Sequence, residues 1–503
     1  MKNFILRNEF IIIIVTFTLL RFIASAFMGL MPQDAYYTYY SENLALSYFD
    51  HPPMVAYMIW LFTFIFGKSL FVLHFADFTV TAATLILSYL FIKRIVPRES
   101  VRRAMILLIT APFITILSIN TTPDVPLLFF WALSLLLIHN AITKQSIMWW
   151  VAAGFAAGLA FDSKYTGVFL PAGLILFLIL SKEHRRLLLS GRFLLFLLSF
   201  SVAILPVVIW NIQNDFISIK YQSSERASDM SAFSFNPKLF AGYLGTQLGL
   251  ALPVLFLMLF PASWRWTASI PSKLRGFFNR ILQKDNKSEQ NHDFAASFAL
   301  PMFILFTGIA LIYWVKINWL MPVYISGAAL VALSIRTDRY LRIQTILSFI
   351  LHLALLVELI WMPVKVNSDD TWYGWDKLAA KTEEISGKYP SNFIFSDNSY
   401  KVSAALNFYL EKHVYAGNVV NEKAFQFALN DKDLSMLQGK DAIYITTGKF
   451  LKKKAKKGGP EALLAPFFSS VTMVDSLILK NSSGEIQRKF YFFICNDYKL
   501  NNK

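Results

Sequence analysis

Charged residues are scarce in this sequence, and cysteine is almost absent. Asp, Glu, Lys and Arg make up 16% of the 503 residues, whereas apolar residues make up 55%. Soluble globular proteins carry about 25% charged residues, so this composition excludes an ordinary soluble protein and predicts a polytopic membrane protein. The only cysteine, Cys495, cannot form an intramolecular disulfide, and any exported domain must therefore be stabilised by its own core.

Long apolar runs recur along the first 363 residues. A helix that crosses a bilayer needs about 20 apolar residues. We predict an α-helical polytopic membrane protein with about 11 transmembrane helices, at 9–31, 71–92, 104–120, 125–143, 148–162, 165–181, 193–210, 239–263, 297–315, 319–335 and 343–363. The shorter segment 54–66 follows a Pro-Pro pair and predicts an interfacial or re-entrant helix.

The first apolar segment has some features of a signal peptide, including Ala24-Ser-Ala26. We expect it to remain as an uncleaved helix, because Arg21 interrupts its apolar run and the later spans need an anchor. A charged side chain inside a span must avoid lipid, so Arg21 is predicted to face protein or a polar cavity.

Lys and Arg are divided unequally between the two sets of connections. With a cytoplasmic N-terminus, the inner connections carry 21 of them, and the outer ones carry only Lys68, Lys164, Lys220, Arg226, Lys238 and Lys316. The positive-inside rule therefore predicts a cytoplasmic N-terminus, with the loop 32–53 and residues 364–503 outside. The net charge of +16 lies mostly in the inner loops, which predicts contact with membrane lipids and not with nucleic acid.

Residues 364–503 are less apolar and predict a C-terminal soluble α/β domain after a transmembrane domain at 1–363. The patterns favour helices at 401–409 and 424–429. They favour strands at 392–396, 442–446, 471–474 and 490–494. The basic run 449–457 is interpreted as a solvated face.

The loop 32–53 combines carboxylates, a histidine and tyrosines next to a membrane helix. Asp34 could act as a general base toward an acceptor hydroxyl. Asp50 and His51 could bind a divalent metal ion or a phosphate, or could be ordinary loop residues. Tyr36 and Tyr37 suit stacking against a sugar or a polyisoprenoid, and equally an interfacial aromatic belt.

Two further outer turns carry charged residues, Asp124 in one and Lys164 in the other. In a set of loops so poor in cations, Lys164 and Arg226 are the preferred partners for a lipid phosphate, ahead of Lys220 and Lys316. The alternative is that each cation lies at a helix end and reaches the headgroups.

Several motifs occur together in a characteristic order. The first loop, Gln33-Asp-Ala-Tyr-Tyr37 followed by Tyr48-Phe-Asp-His-Pro-Pro53, resembles that of the bacterial protein-O-mannosyltransferase-like glycosyltransferases, which include the lipid A aminoarabinose transferase. The resemblance covers roughly residues 5–335 and continues through Thr122-Pro-Asp-Val-Pro-Leu127, Ser163-Lys-Tyr-Thr166, Trp210-Asn-Ile-Gln-Asn-Asp215, Lys220-Tyr-Gln222, Gln247-Leu-Gly249 and Asn318-Trp-Leu-Met-Pro-Val-Tyr324.

This resemblance implies a GT-C fold and an inverting sugar transfer on the outer face, from a polyprenyl-phosphate donor and without a nucleotide cofactor. It implies that Asp34 is the catalytic base or orients the acceptor, with Asp124 as a second catalytic candidate. Many relatives carry Asp-Glu where this chain has Gln33 and Asp34, so only one carboxylate is present there.

The same resemblance implies roles for the remaining candidates. His51, Lys164 and Arg226 would bind the donor phosphate, and Asp50 with His51 would meet the phosphate or a metal. A lipid A or other envelope glycolipid acceptor is favoured over a protein acceptor, at the periplasmic face of a bacterial inner membrane.

Two other functional classes stay open at this point. A transporter or flippase of lipid-linked sugars should place its ionisable groups near the middle of the membrane, whereas most of these groups lie at the outer boundary. The third class is an inactive membrane scaffold whose tail binds partners.

Overall fold

In the computed structural model, the described residues are 2–225, 235–278, 287–366, 368–397, 400–449, 451 and 459–500. Within these ranges, seven helices are long and apolar enough to cross a membrane: Asn8–Phe27, Leu70–Ile95, Asp124–Lys144, Gly191–Gln213, Pro237–Leu257, Lys287–Ile309 and Arg339–Trp361. Four shorter apolar helices accompany them: Met54–Phe66, Ile147–Ser163, Tyr165–Leu180 and Val323–Ser334. The prediction of an α-helical polytopic membrane protein is confirmed.

The predicted spans and the observed helices differ mainly at prolines. The predicted span 104–120 is divided into Arg98–Ile109 and Pro112–Leu117, because Pro112 lacks an amide hydrogen and starts a new helix. The predicted span 239–263 is interrupted at Leu252, which precedes Pro253 and has a φ of 65°. A second helix, Leu259–Phe278, follows it.

The segment expected to be a loop after the first span contains a helix, Pro32–Glu42. Pro32 occupies its first turn, where a missing amide hydrogen costs nothing. The carboxylate of Asp34 accepts a hydrogen bond from the backbone N–H of Met31 at 2.8 Å, as the third residue of a capping box does. The prediction of a loop is therefore wrong for residues 32–42, where Pro32 and the cap at Asp34 start a helix.

The chain packs as two compact units. The first unit contains Met1–Ser25, His51–Met58 and His74–Ala354. Inside it, Arg21 is only 3% exposed and donates hydrogen bonds to the hydroxyl of Thr115 at 3.1 Å and to the carbonyl of Ile109. The prediction that Arg21 faces protein is confirmed.

The second unit contains Ala26–Asp50, Ile59–Leu73 and Leu355–Lys503. Its five-stranded sheet has the order β2-β1-β3-β5-β4, formed by β1 (Phe393–Phe395), β2 (Val414–Tyr415), β3 (Ala442–Thr447), β4 (Phe468–Lys480) and β5 (Ile486–Tyr498). Strand β1 pairs in parallel with β2 and β3, and the other pairings are antiparallel. The longest helices beside the sheet are Trp375–Lys388 and Lys401–Tyr409.

The sheet supplies the core of this soluble α/β domain. Every residue of β3 is buried, as expected for a central strand that is covered on both faces. Its Tyr444 packs in one cluster with Phe395 and Phe493, and the buried Cys495 belongs to the same cluster. Strand β2 was missed from the sequence because it is only two residues long. The predicted domain boundary at residue 363 stays a prediction.

Candidate active site

A buried ion pair joins two helix ends in the first unit. The ammonium Nζ of Lys164 lies 2.7 Å from Oδ1 and 3.0 Å from Oδ2 of Asp124. Asp124 is 1% exposed and Lys164 is 7% exposed. The amide of Asn318 donates a third hydrogen bond, to Oδ2 of Asp124, at 2.5 Å. These three side chains come from three separate motifs of the sequence.

Helix connectivity brings Asp124 and Lys164 to the same end of the bundle. Asp124 begins the helix Asp124–Lys144, and Lys164 directly follows the helix Ile147–Ser163. The two helices pack against each other and are joined by Gln145 and Ser146 alone. Such a short connection makes neighbouring helices antiparallel, so the start of the first helix meets the end of the second.

A tight turn holds the backbone of Lys164. The residue is extended, with a φ of −159°, and the 3-10 turn Tyr165–Val168 follows it. The N–H of Gly167 donates to the carbonyl of Lys164 at 2.8 Å. Any side chain at Gly167 would meet backbone atoms of Ala160 and Phe161, so this close approach requires glycine.

Replacing Gly167 by alanine is expected to destabilise the protein by about 1–3 kcal/mol, because a rigid backbone contact must shift to make room. The displacement would also move Lys164, so activity should fall together with thermal stability in a melting assay. Gly242→Ala is the control, because nothing lies within 4 Å of that position. Equal melting temperatures for the two variants would contradict the requirement for glycine at 167.

A cavity of about 170 Å³ lies beside the ion pair. Its wall includes His51, Lys164 and Lys316, and it is completed by Tyr165, Thr166, Gln222, Phe306, Asn318 and Trp319. An ammonium group has three hydrogen-bond donors. The described contacts of Lys164 are with Asp124, so a donor remains that can serve a ligand in the cavity. The side chains of Lys164 and Lys316, and that of His51 when it is protonated, carry positive charge. A cavity lined by them suits an anionic group.

Other motif residues support this site through hydrogen bonds. The hydroxyl of Tyr165 donates to Ser218 at 2.9 Å, and Ser218 donates to Asn211 at 2.6 Å. The amide of Gln247 donates to the carbonyl of Ile317, immediately before Asn318, and accepts from the hydroxyl of Tyr324 at 2.6 Å. These contacts link residues that belong to four of the ordered motifs.

The second unit holds Asp34 and the tyrosines of the first loop. Asp34 is 0% exposed, Tyr36 is 1% exposed and Tyr37 is 6% exposed. Tyr36 stacks on Tyr400 at a centroid distance of 4.2 Å, and its hydroxyl accepts from the N–H of Gln426. The tyrosines therefore pack within this unit, and their role in substrate binding stays a prediction.

Asp50 is engaged by the same tyrosine cluster. The hydroxyl of Tyr40 donates to Oδ1 of Asp50. Burial, and then the negative charge of Asp50, raise the pKa values of Tyr36 and Tyr40 well above their usual range. Both phenols are therefore protonated at neutral pH and can act as hydrogen-bond donors.

Asp50 and His51 stay predicted metal ligands. Among the described residues, no group of three or more His, Cys, Asp or Glu side chains could hold a metal ion. His51 shares its cavity with Lys164 and Lys316, whose positive charges would repel a cation. The remaining predicted phosphate ligand, Arg226, lies outside the described residues.

Sequence reasoning missed three polar residues of the first unit. Asn318 begins the motif Asn318–Tyr324, and the sequence alone indicates no role for it. Asp77 is fully buried and accepts from the hydroxyl of Thr121 at 2.7 Å. Asp162 is 4% exposed, and its Oδ1 has no hydrogen-bond partner in the part of the chain that the structure describes. Carboxylates inside or beside apolar helices were the signal that could have found Asp77 and Asp162.

Comparisons with known proteins agree with this architecture. Residues 50–210 match the dolichyl-phosphate-mannose-protein mannosyltransferase family. The lipid A galacturonosyltransferase RgtD of Rhizobium johnstonii is 24% identical over 324 residues, and the match spans 64% of this chain and 64% of RgtD. The chain thus spans somewhat less than two thirds of the length of that curated relative.

Solved structures extend the similarity over nearly the whole chain. ArnT from Cupriavidus metallidurans in the apo state superposes with a TM-score of 0.62 at 14% identity, over 96% of this chain and 97% of ArnT. The same protein bound to undecaprenyl phosphate gives a TM-score of 0.61 at 14% identity, over 96% and 98%. The resemblance drawn from the ordered motifs is confirmed: this chain has the GT-C fold of ArnT, and its residues 50–210 match the dolichyl-phosphate-mannose-protein mannosyltransferase family.

Proposed function

We propose that this protein is an inverting glycosyltransferase that moves a sugar from a polyprenyl phosphate, such as undecaprenyl phosphate, to an envelope glycolipid. The observation that carries this proposal is the buried Asp124–Lys164 pair on the wall of a cavity that also contains His51 and Lys316. A cationic cavity in a membrane-embedded bundle suits a lipid-linked phosphate. ArnT, which shares the fold, has been crystallised with undecaprenyl phosphate.

The cations would act on the leaving group. As the bond between the anomeric carbon and the phosphate oxygen breaks, that oxygen gains negative charge, which a preorganised cation stabilises. Lys164 would meet this charge, with His51 and Arg226 as further phosphate ligands. Asp124 and Asn318 would hold Lys164 in place, so Asp124 is proposed to position the cation.

An acceptor hydroxyl would attack the anomeric carbon from the face opposite the phosphate. The new carbon–oxygen bond forms as the phosphate leaves, and the hydroxyl proton passes to a base. We assign this base to Asp34, as the resemblance implies. Polyprenyl phosphate and the glycosylated acceptor are the products, and no step uses a nucleotide.

The acceptor is proposed to be lipid A or another envelope glycolipid. The name of RgtD, a lipid A galacturonosyltransferase, supports this class over a protein acceptor. The predicted charge distribution supports transfer at the periplasmic face of a bacterial inner membrane, with a cytoplasmic N-terminus. Tyr36 and Tyr37, in the second unit, are proposed to contact the substrate.

The test is transfer by the purified full-length protein, supplied with lipid A and a radiolabelled sugar on undecaprenyl phosphate. We expect the label to appear on lipid A and undecaprenyl phosphate to be released in equal amounts. The same sugar on a nucleotide should give no labelled product. Movement of the lipid-linked sugar across proteoliposomes without covalent transfer would instead support a flippase and overturn the proposal.

A further inference from the structure

The second unit contains a cavity of about 350 Å³ that is separate from the Asp124–Lys164 site. One wall is the segment that follows the last membrane helix, including Lys365 and Asp369, and another is strand β5 at Arg488 and Lys489. Lys449, at the end of β3, completes the charged lining. Small-molecule sites in proteins occupy roughly 300–1,000 Å³, so this volume suits a headgroup and not a lipid chain.

Positive charge dominates this cavity. Its lining contains four Lys and Arg side chains and one carboxylate, that of Asp369. The side-chain ammonium groups of Lys365 and Lys489 form no ion pair or hydrogen bond with any residue in the described ranges. Two ammonium groups at the cavity are therefore available to an anion.

Arg488 adds a buried cation to the wall. It is 6% exposed, and its guanidinium donates to the backbone carbonyls of Tyr373 and Asp369. The guanidinium carbon also lies 4.0 Å from the ring centroid of Trp375. Burial lowers the pKa of Arg488 to about 10, so it remains charged at neutral pH. Its hydrogen-bond partners are neutral carbonyls, and the nearby carboxylates of Asp369 and Asp370 raise its pKa and so oppose the effect of burial.

The cavity lies close, along the chain, to the end of a helix that is long and apolar enough to cross a membrane. Lys365 is four residues beyond Trp361, the end of the membrane helix Arg339–Trp361. A chain extends by at most about 3.6 Å per residue, which places Lys365 within roughly 14 Å of that helix end. Two hydrogen bonds between Val366 and Gln487, at 3.2 and 2.8 Å, fix this segment against β5.

We infer that this cavity binds a phosphate of the glycolipid acceptor and holds the headgroup at the membrane surface. The inference rests on the proposed function, because it names how that reaction would recognise its acceptor. Lys365 and Lys489 would contact the phosphate, since lysine ammonium groups are common point-charge ligands of phosphate. The positive charge of Arg488 would attract the phosphate without direct contact. Its hydrogen bonds to the carbonyls of Tyr373 and Asp369 would keep the cavity wall in place.

The test compares two full-length double variants. Lys365→Gln with Lys489→Gln removes the two available cations, and Lys432→Gln with Lys440→Gln removes the same charge from exposed positions in the same unit. With phosphorylated lipid A, we expect the first variant to raise KM about tenfold and leave kcat unchanged. With dephosphorylated lipid A, it should behave like the control. An unchanged KM for the phosphorylated acceptor would overturn the inference.

Binding without a sugar donor separates this inference from the proposed function. Lipid A with and without its phosphates is titrated onto the detergent-solubilised protein, with phosphatidylglycerol and inorganic phosphate as competitors. Phosphate-dependent binding that is lost only in the first variant supports the cavity even if no sugar transfer is detected. Equal competition by phosphatidylglycerol or by inorganic phosphate would show that the cavity does not select the acceptor, and would overturn the inference.

Discussion

Replacing Lys164 by glutamine is expected to reduce sugar transfer from a polyprenyl-phosphate donor by about 10²–10³-fold, because one preorganised donor to the developing phosphate charge is lost. The loss should appear in kcat, since the charge on the leaving oxygen grows mainly in the transition state. Single-turnover transfer of a radiolabelled sugar measures it directly. Lys238→Gln is the matched control, because Lys238 is an exposed cation of the same unit.

Loss of folding must be separated from loss of catalysis in this experiment. Removing Lys164 alone leaves the buried Asp124 without its counter-ion, which costs about 3–5 kcal/mol. The double variant Asp124→Asn with Lys164→Gln removes both charges and should recover most of the thermal stability. It should not recover activity. Near-normal transfer by the double variant would contradict a role for Lys164 at the donor phosphate.

The second large effect is expected at Asp34. Asp34→Asn should lower transfer by about 10²–10⁴-fold, because an amide cannot accept the proton of the acceptor hydroxyl. This substitution is expected to preserve the local structure. The asparagine oxygen can still accept the N–H of Met31, which the carboxylate accepts at 2.8 Å, so the helix Pro32–Glu42 keeps its cap.

Asp34→Ala provides the complementary measurement. It removes both the base and the cap, and should cost about 0.5–2 kcal/mol of stability in addition to activity. If Asp34 served only the helix start, the asparagine variant would keep full transfer and only the alanine variant would be impaired. In that case the base would have to be sought among the other carboxylates, with Asp124 as the next candidate.

Local features of the chain were predictable because composition and periodicity act over short distances. The apolar runs identified the membrane helices, and the strand patterns identified four of the five strands in residues 364–503. The errors fell at prolines such as Pro112, where hydropathy continues but the helix cannot. The cap at Asp34 was missed because a composition rich in tyrosine and polar residues was interpreted as a loop.

The candidate site was predictable only in part. Asp124 and Lys164 could be chosen as charged residues in turns predicted to lie outside. The predicted spans 125–143 and 148–162 leave only a short connection, which favours neighbouring antiparallel helices. The pairing of Asp124 with Lys164 at 2.7 Å, however, depends on how the two helices pack side by side. Asn318 lies 194 residues from Asp124 in the chain, and no local pattern reveals that hydrogen bond.

The sequence by itself determined the membrane character, the helical and α/β classes and the set of chemically useful residues, because each follows from composition or from short periodic patterns. Only the tertiary structure decided which of these residues meet. It paired Asp124 with Lys164, and it buried Tyr36 against Tyr400 within the second unit. It also placed Lys365 and Arg488 on one cavity. The physical reason is that burial and charge pairing depend on packing between elements far apart in the chain.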